Sequence, residues 1–428
     1  MENFRIESLE INKIGAFEHI KMDFPKKTDP DKAEIHILTG ENGTGKSTVL
    51  EALIESITLK SENVHLNFHK KSHDTEGSFE VKFEACSPAK YIFFGRLFAP
   101  VTHIPDFLGS YHTTLEEDNL NSFVQLRPFK TAFFAYSGYR RVTEVKIEGP
   151  KKILDNPLQN SLDVNRSINP ENLIQWIVNT VTRELSSKGR GDNAKAKVLK
   201  ETLQNLENII SEIIEEAISF DIDDDFNVFV LKEFRLHFDT LPDGLKSMIS
   251  WIGDLLMRMD RLKWENDTPI FDRNFILFLD EIEVHLHPAW QRKILPVVQK
   301  LFKNAQIFIS THSPFVVGSV DGAWVHKLQK GDDGFAVLDG EPVLSEDGKS
   351  VRRILDEVFG INQQYGVEVE KDLARFREIR QQIIMGQTYN SEEFNELVKH
   401  LASQSTELEQ MMGMEMNQLK RITQKELV

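Results

Sequence analysis

The stretch "HILTGENGTGKSTVLEAL", His36 to Leu53, constrains the fold of this 428-residue chain more than any other. An apolar run enters a glycine-rich turn, and the turn enters a helical pattern. "GENGTGKS" fits G-x-x-x-x-G-K-[ST] in full. Glycines at Gly40, Gly43 and Gly45 let the backbone turn its N–H groups onto an anion. Glu41, Asn42, Thr44 and Thr48 complete the expected cradle, and the helix that follows points its positive end at the same place. Lys46 should reach the β- and γ-phosphates, and Ser47 should bind Mg²⁺. The expected ligands are therefore ATP and Mg²⁺, on a doubly covered α/β sheet.

Two later stretches belong to the same sheet. "FILFLDE" is an apolar run that ends in two acids. Asp280 should hold Mg²⁺, directly or through water. Glu281 is placed to orient or deprotonate the attacking water. "AQIFISTHSP" follows after a spacing long enough for a crossover helix. That puts Thr311 and His312 at the carboxyl edge, where ligands bind. A neutral His312 could hydrogen-bond the γ-phosphate or its water. Lys46, Glu281 and His312 are the expected catalytic set.

Other polar stretches carry blander readings. "VHLHP" offers His285 and His287 but no third ligand, and reads as a turn lying against a partner subunit rather than a zinc site. The acidic "DIDDD", Asp221 to Asp225, lacks calcium-loop spacing and reads as a solvated loop. The single cysteine, Cys86, rules out an internal disulfide and a cysteine-rich zinc cluster. No apolar run approaches a bilayer span, and "MENFRIESLE" has no signal-peptide pattern, so a cytoplasmic protein is expected. A net charge of −16 argues against a surface that coats DNA indiscriminately. "HKKSH" and "SSKGRGDNAKAKVLK" remain as local basic stretches.

The pattern changes along the chain. Alternating strands dominate to about residue 150, including "TAFFAYSGYRR", in which Tyr136, Arg140 and Arg141 follow a strand that should end near the nucleotide. Residues 151–220 read as helical. There Asn169 and Pro170 open one helix, and Val198, Leu199, Leu203, Leu206, Ile210, Ile213, Ile214 and Ala217 form one stripe. Strands return over 221–345. Residues 346–428 are helical and charged, with a hairpin of "DLARFREIRQQIIMG" and "NSEEFNELVKHLASQSTELEQMM". In "LPDGLKSMISWIGDLL", Asp243 and Gly244 look like a cap before a helix, whose N-terminus is a second anion site.

Read in order, these motifs resemble the heads of ABC-type ATPases: Walker A, signature, Walker B with a following Glu, and a histidine switch. The resemblance implies a mixed β-sheet with flanking helices, a helical insertion and a helical C-terminal tail. It also implies a two-chain site, in which Asp243 and Gly244 of one copy close on the nucleotide of another. The signature runs Leu241, Pro242, Asp243, Gly244, Leu245 where the family has L-S-G-G-Q. Pro242 replaces the serine that contacts the γ-phosphate, so a slow, switch-like ATPase is expected.

"INKIGAFEHIKMDF", "FAYSGYRR", the Asp-Gly signature, "LDEIEVHLHPAWQRKIL" and "FISTHSPFVV" resemble the RecF- and OLD-like bacterial ATPases rather than transporters. Relatives with this set include PtuA-type ATPases of Septu and retron anti-phage systems. The resemblance implies a regulatory scaffold that binds a separate HNH nuclease or a retron partner through the tail, with nucleic acid reached through that partner. It lends Arg140 a phosphate-sensing role. No Toprim-like carboxylate motif follows Ser345, so no nuclease site is expected here. The rival reading is a RecF-like repair ATPase acting directly on DNA.

Overall fold

A computed structural model describes residues 4–58, 76–84, 89–94, 97–100, 128–138, 146–153, 155–164, 170–265, 267–346 and 348–423. The chain forms two compact units, Met1–Phe359 and Gly360–Val428.

In the first unit, β1 (Ile6–Ile14) and β2 (Phe17–Asp23) form a hairpin, and β3 (Glu34–Gly40) leads through the phosphate loop into α1 (Lys46–Thr58). Next come β4 (Glu76–Phe83), β5 (Ala89–Phe94), β6 (Leu97–Pro100) and β7 (Thr131–Ser137). Two long helices follow, α2 (Pro170–Gly189) and α3 (Asn193–Ile214). Short strands β8 (Ser219–Ile222), β9 (Val228–Leu231) and β10 (Arg235–His237) lead to α4 (Asp243–Arg261), the helix expected to carry the signature. Then come β11 (Asn274–Asp280), α5 (Pro288–Leu301), β12 (Ala305–Ser310), α6 (Pro314–Val317), β13 (Trp324–Lys330), β14 (Ala336–Leu338), β15 (Val343–Leu344) and α7 (Val351–Glu357).

The central sheet runs β14-β13-β3-β12-β11-β7, with β15 also paired to β13. The five strands from β13 to the edge strand β7 are parallel. β3, β11 and β12 are buried along nearly their whole length. That explains their continuous apolar runs, since a parallel sheet is covered on both faces. Beside it stands an antiparallel sheet ordered β2-β1-β4-β5-β6, and in β1, β2 and β4 one side is buried and the pattern alternates. The fold class is thus the mixed α/β one expected.

The helical stretch within 151–220 is not a separate unit. Leu173, Ile177, Leu206 and Ile210 join the same core as the sheet. Gly253, midway along α4, lies so close to α2 and α3 that a Cβ there would stand 2.8 Å from Leu173 and 3.3 Å from Leu206. Val198 departs from the expected stripe, being 61% exposed, and Ile209 is buried instead. The helix ends at Ile214, where Glu215 turns left-handed, so Ala217 lies beyond it.

The second unit holds three helices, α8 (Val367–Ile384), α9 (Ser391–Gln404) and α10 (Thr406–Thr423), around Leu373, Phe376, Ile379, Phe394, Leu401, Leu408 and Leu419. The expected hairpin is thus a three-helix unit. Ser405 takes an extended conformation, and its hydroxyl accepts from Leu408 N, which starts a new helix. The unit also begins later than 346: α7 stays with the first unit, where Ile354 packs under Gly318. Among the described residues no helix is long and apolar enough to cross a membrane.

Candidate active site

Parallel pairing brings the motifs to one edge. β3 ends at Gly40, β11 at Asp280, β12 at Ser310 and β7 at Ser137, with Asp280 in register with Ser137. The loop from Gly40 to Lys46 sits on that edge. Gly40 adopts φ 144° and comes so close to β13 that a Cβ would stand 2.1 Å from Leu328 O. Gly43 and Gly45 also take positive φ, at 80° and 85°. Only glycine adopts these angles without strain. Thr44 Oγ1 donates to Glu41 O at 2.8 Å, tying the loop on itself, while Glu41, Asn42 and Gly43 remain exposed.

Lys46 starts α1, and its Nζ donates to the carbonyls of Gly40 at 2.9 Å and Glu41 at 2.8 Å. Burial lowers the ammonium's pKa, while Asp280, Glu281 and Glu283 oppose that shift. Ser47 Oγ lies 3.3 and 3.2 Å from the two carboxylate oxygens of Asp280. A hydroxyl and a carboxylate side by side are the hard oxygen donors that Mg²⁺ accepts beside phosphate and water. Thr48 follows in the same turn, with its side chain 2.6 Å from where a Cβ on Gly15 would lie.

Glu281 follows the strand at φ 50°, a region non-glycine residues rarely enter. Its N–H donates to Ser310 O at 3.1 Å and Ser310 Oγ at 3.0 Å, which holds the strained turn in place. Ser310 Oγ donates in turn to Asp280. Burial raises the Glu281 carboxyl's pKa, with Asp280 and Glu283 adding to it. That is the direction a proton acceptor needs. Burial and the nearby Lys46 lower the His312 pKa, so the imidazole is neutral at pH 7. Glu51, one turn along α1 from Ser47, is pushed up to about 7 by burial, Asp280 and Glu55.

Two expectations change in detail, at Tyr136 and at Asp243, and two other stretches gain detail. Tyr136 lies within β7, is buried, and donates its hydroxyl to Asp254 of α4 at 2.9 Å, so it faces α4. Asp243 does not cap α4. Pro242 holds the cap position, no side chain bonds there, and Asp243 is the first helical residue. No side chain among the described residues caps the α4 N–H groups. The "VHLHP" turn packs within its own chain: a Cβ on Gly244 would stand 2.5 Å from His285 O, and His287 caps α5 through Ala289 N. Asp223 organises the acidic loop by accepting from Asp225 N and Asn227 N. Arg140 and Arg141 lie outside the described residues.

Ser310, Glu283 and Glu51 were not singled out from the sequence. Ser310 and Glu283 sit beside motif residues in "ISTH" and "DEIE", the one signal that could have marked them. A polar cavity of about 170 Å³ is lined by Tyr136, Ser137, Ser161, Asp254, Arg258 and Arg261 among others.

Comparison with known proteins fits this geometry. The family model described as "AAA domain, putative AbiEii toxin, Type IV TA system" matches residues 35–318. The chain is similar to the "Retron Ec83 probable ATPase" of Escherichia coli, at 24% identity over 399 residues, covering 76% of this chain and 72% of that protein. It is similar to the "Septu protein PtuA" of Bacillus thuringiensis at 22% identity over 365 residues, covering 84% and 85%. Among solved structures, the SMC head domain from Thermotoga maritima aligns over 79% of this chain and 99% of that one, at TM-score 0.41 and 14% identity. The matched span contains the phosphate loop, both carboxylate residues and the histidine loop, and the chain belongs to this AAA-domain family as a P-loop ATPase related to the retron and Septu ATPases.

Proposed function

We propose that the chain binds and slowly hydrolyses ATP as a head-to-tail dimer, and that this cycle regulates a separate nuclease in anti-phage defence. The observation that carries the reading is the convergence of Lys46, Ser47, Asp280, Glu281 and His312 on one sheet edge. The backbone of Gly40 to Ser47 holds the phosphates, and Lys46 leaves its two carbonyls to reach them. Ser47 and Asp280 would hold Mg²⁺, which supplies charge neutralisation on the phosphates. Glu281 takes the proton of the attacking water, and neutral His312 orients that water or the γ-phosphate.

The open N-terminus of α4 lacks the hydroxyl that Pro242 replaces, so its contact with a second copy's nucleotide rests on backbone donors alone. Slow turnover follows. The similarity to Septu and retron proteins supports a role in defence, with an HNH nuclease or retron component held by the three-helix unit. The test is single-turnover hydrolysis by purified protein with and without that partner. Phosphate release that the partner or its target changes supports the reading; ATP binding with no release under any condition removes the enzymatic part of it.

One observation favours the RecF-like alternative. Between residues 183 and 200, around the tip of the α2–α3 hairpin, six Lys or Arg face two acids. Exposed Arg190, Lys195 and Lys197 there could meet nucleic-acid phosphates. Duplex binding whose affinity falls steeply with salt, and is lost on reversing these charges, would favour direct action on DNA.

A further inference from the structure

The turn Glu281–His287 is touched from three sides. Gly138, at the end of β7, packs so closely that a Cβ would stand 2.9 Å from Glu281 Cβ and 3.0 Å from Val284 Cγ2. Gly244, in the first turn of α4, packs on His285 O. On the third side stands the loop after β12, and there Glu283 makes the contact. Its Oε1 accepts the backbone N–H of His312 at 2.6 Å. Its Oε2 is buried and has no hydrogen-bond partner among the described residues.

A carboxylate is a costly way to satisfy one N–H. Half of its acceptor capacity is buried unused. It also adds a third negative charge beside Asp280 and Glu281. The turn does not need the carboxylate for its own shape: Leu286 N donates to the Glu283 carbonyl at 3.0 Å. The charge therefore has a use at its far end. A bond to an ionised acceptor is stronger than one to a neutral acceptor, and this bond fixes the residue that carries the imidazole. A second tie runs alongside it. Ser313 Oγ donates to Gln291 Oε1 at 2.6 Å, and Gln291 Nε2 donates to Leu286 O at 2.9 Å. Turn and histidine loop are thus tied at two points.

We propose that Glu283 is a positioning residue for hydrolysis: it locks the His312 loop to the turn that carries Glu281, so that displacement of this turn by the Gly244 helix tip also displaces His312. The signature helix then acts on the histidine of its own chain, in addition to any nucleotide of another. This inference rests on the reading of His312 proposed above.

A double-mutant cycle on the full chain tests it, with steady-state ATP hydrolysis as the readout and thermal unfolding as the folding control. Loss of a charge-assisted bond predicts that Glu283→Ala lowers kcat by about 10- to 100-fold, with KM within about twofold. Glu283→Gln keeps an acceptor but loses the charge, and its rate falls between those of the parent and Glu283→Ala. Glu283→Ala combined with His312→Ala is no slower than His312→Ala alone, because both changes remove one function. The inference is overturned if the two losses multiply, if Gln is as slow as Ala, or if KM rises while kcat holds. If His312→Ala leaves kcat unchanged, the reading of His312 fails and this inference goes with it. If His312→Ala is slow and Glu283→Ala is not, only this inference fails.

Discussion

Glu281 occupies a backbone region that costs a non-glycine residue on the order of 1 kcal/mol or more. Two bonds from its N–H to Ser310 hold it there. Such strain aims a side chain, and the raised carboxyl pKa fits proton acceptance. Glu281→Gln should lower turnover by about 10²–10⁴ while ATP still binds. Single-turnover kinetics with filter binding checks both halves, and unchanged hydrolysis would remove Glu281 from the role. Lys46→Ala should abolish nucleotide binding by calorimetric titration. These residues were legible because short motifs fix them; Glu283 and Ser310 were not, because their roles exist only once two strands lie side by side.

A buried polar chain beneath the phosphate loop gives a pH prediction. Arg5 donates to Glu34 at 2.7 Å, His36 Nε2 lies 3.0 Å from the same oxygen, and His36 Nδ1 lies 3.2 Å from His326 Nε2. Burial would raise the Glu34 carboxyl, but the bonds to His36 and Arg5 reverse this and hold it at about 2. Burial lowers the pKa of His36 and takes that of His326 well below the usual value, and His326 Nδ1 has no partner. His326 stays neutral when folded, and His36 is neutral at pH 7. The unfolded chain takes up their protons below about pH 6.5. Stability is therefore full above that pH and falls as pH drops through it, by up to about 1.4 kcal/mol per pH unit for each ring. Denaturant unfolding between pH 7.5 and 5 should show this slope, and His326→Leu should reduce it.

At the scale of elements, α4 is the piece whose placement decides the most. Its Asp254 is buried, accepts from Tyr136 OH at 2.9 Å and from Arg258 Nε at 2.5 Å, and Arg258 also reaches Pro157 O and Gln159 O. This network ties the helix to β7 and to the segment ahead of α2. Asp254→Ala removes the carboxylate from the partly buried Arg258 and the acceptor of Tyr136, leaving Arg258 only its two carbonyls, and should cost about 1–3 kcal/mol. A denaturant midpoint within error of the parent would contradict that. The helix itself was legible from its periodicity, but its cap was not: Asp243 looks like a cap in sequence, yet Pro242 takes the position. Likewise, the break at Ser405 hides inside a continuous periodic pattern, since a cap serine and a solvent-facing serine read alike. Val198 fits the stripe of α3 but lies where no described residue covers that helix.

For the whole molecule, the order of motifs carried the α/β class and the shared edge of the sheet, because parallel strands with crossovers leave few ways to connect them. The compact units were less legible, since the helices of 151–220 look separable but bury their apolar faces in the same core. The net charge of −16 confines any phosphate contact to local patches. The account's central claim concerns two copies: the cradle of one is finished by the α4 tip of the other. The direct measurement mixes Lys46→Ala with Asp243→Trp, the latter at a side chain 83% exposed and so free of the core. Each variant alone should be inactive. An equal mixture should recover about a quarter of parental turnover, since half of the dimers are mixed and each of those retains one intact site. A mixture no faster than the mean of its parts, or a monomer with full turnover, would contradict the claim.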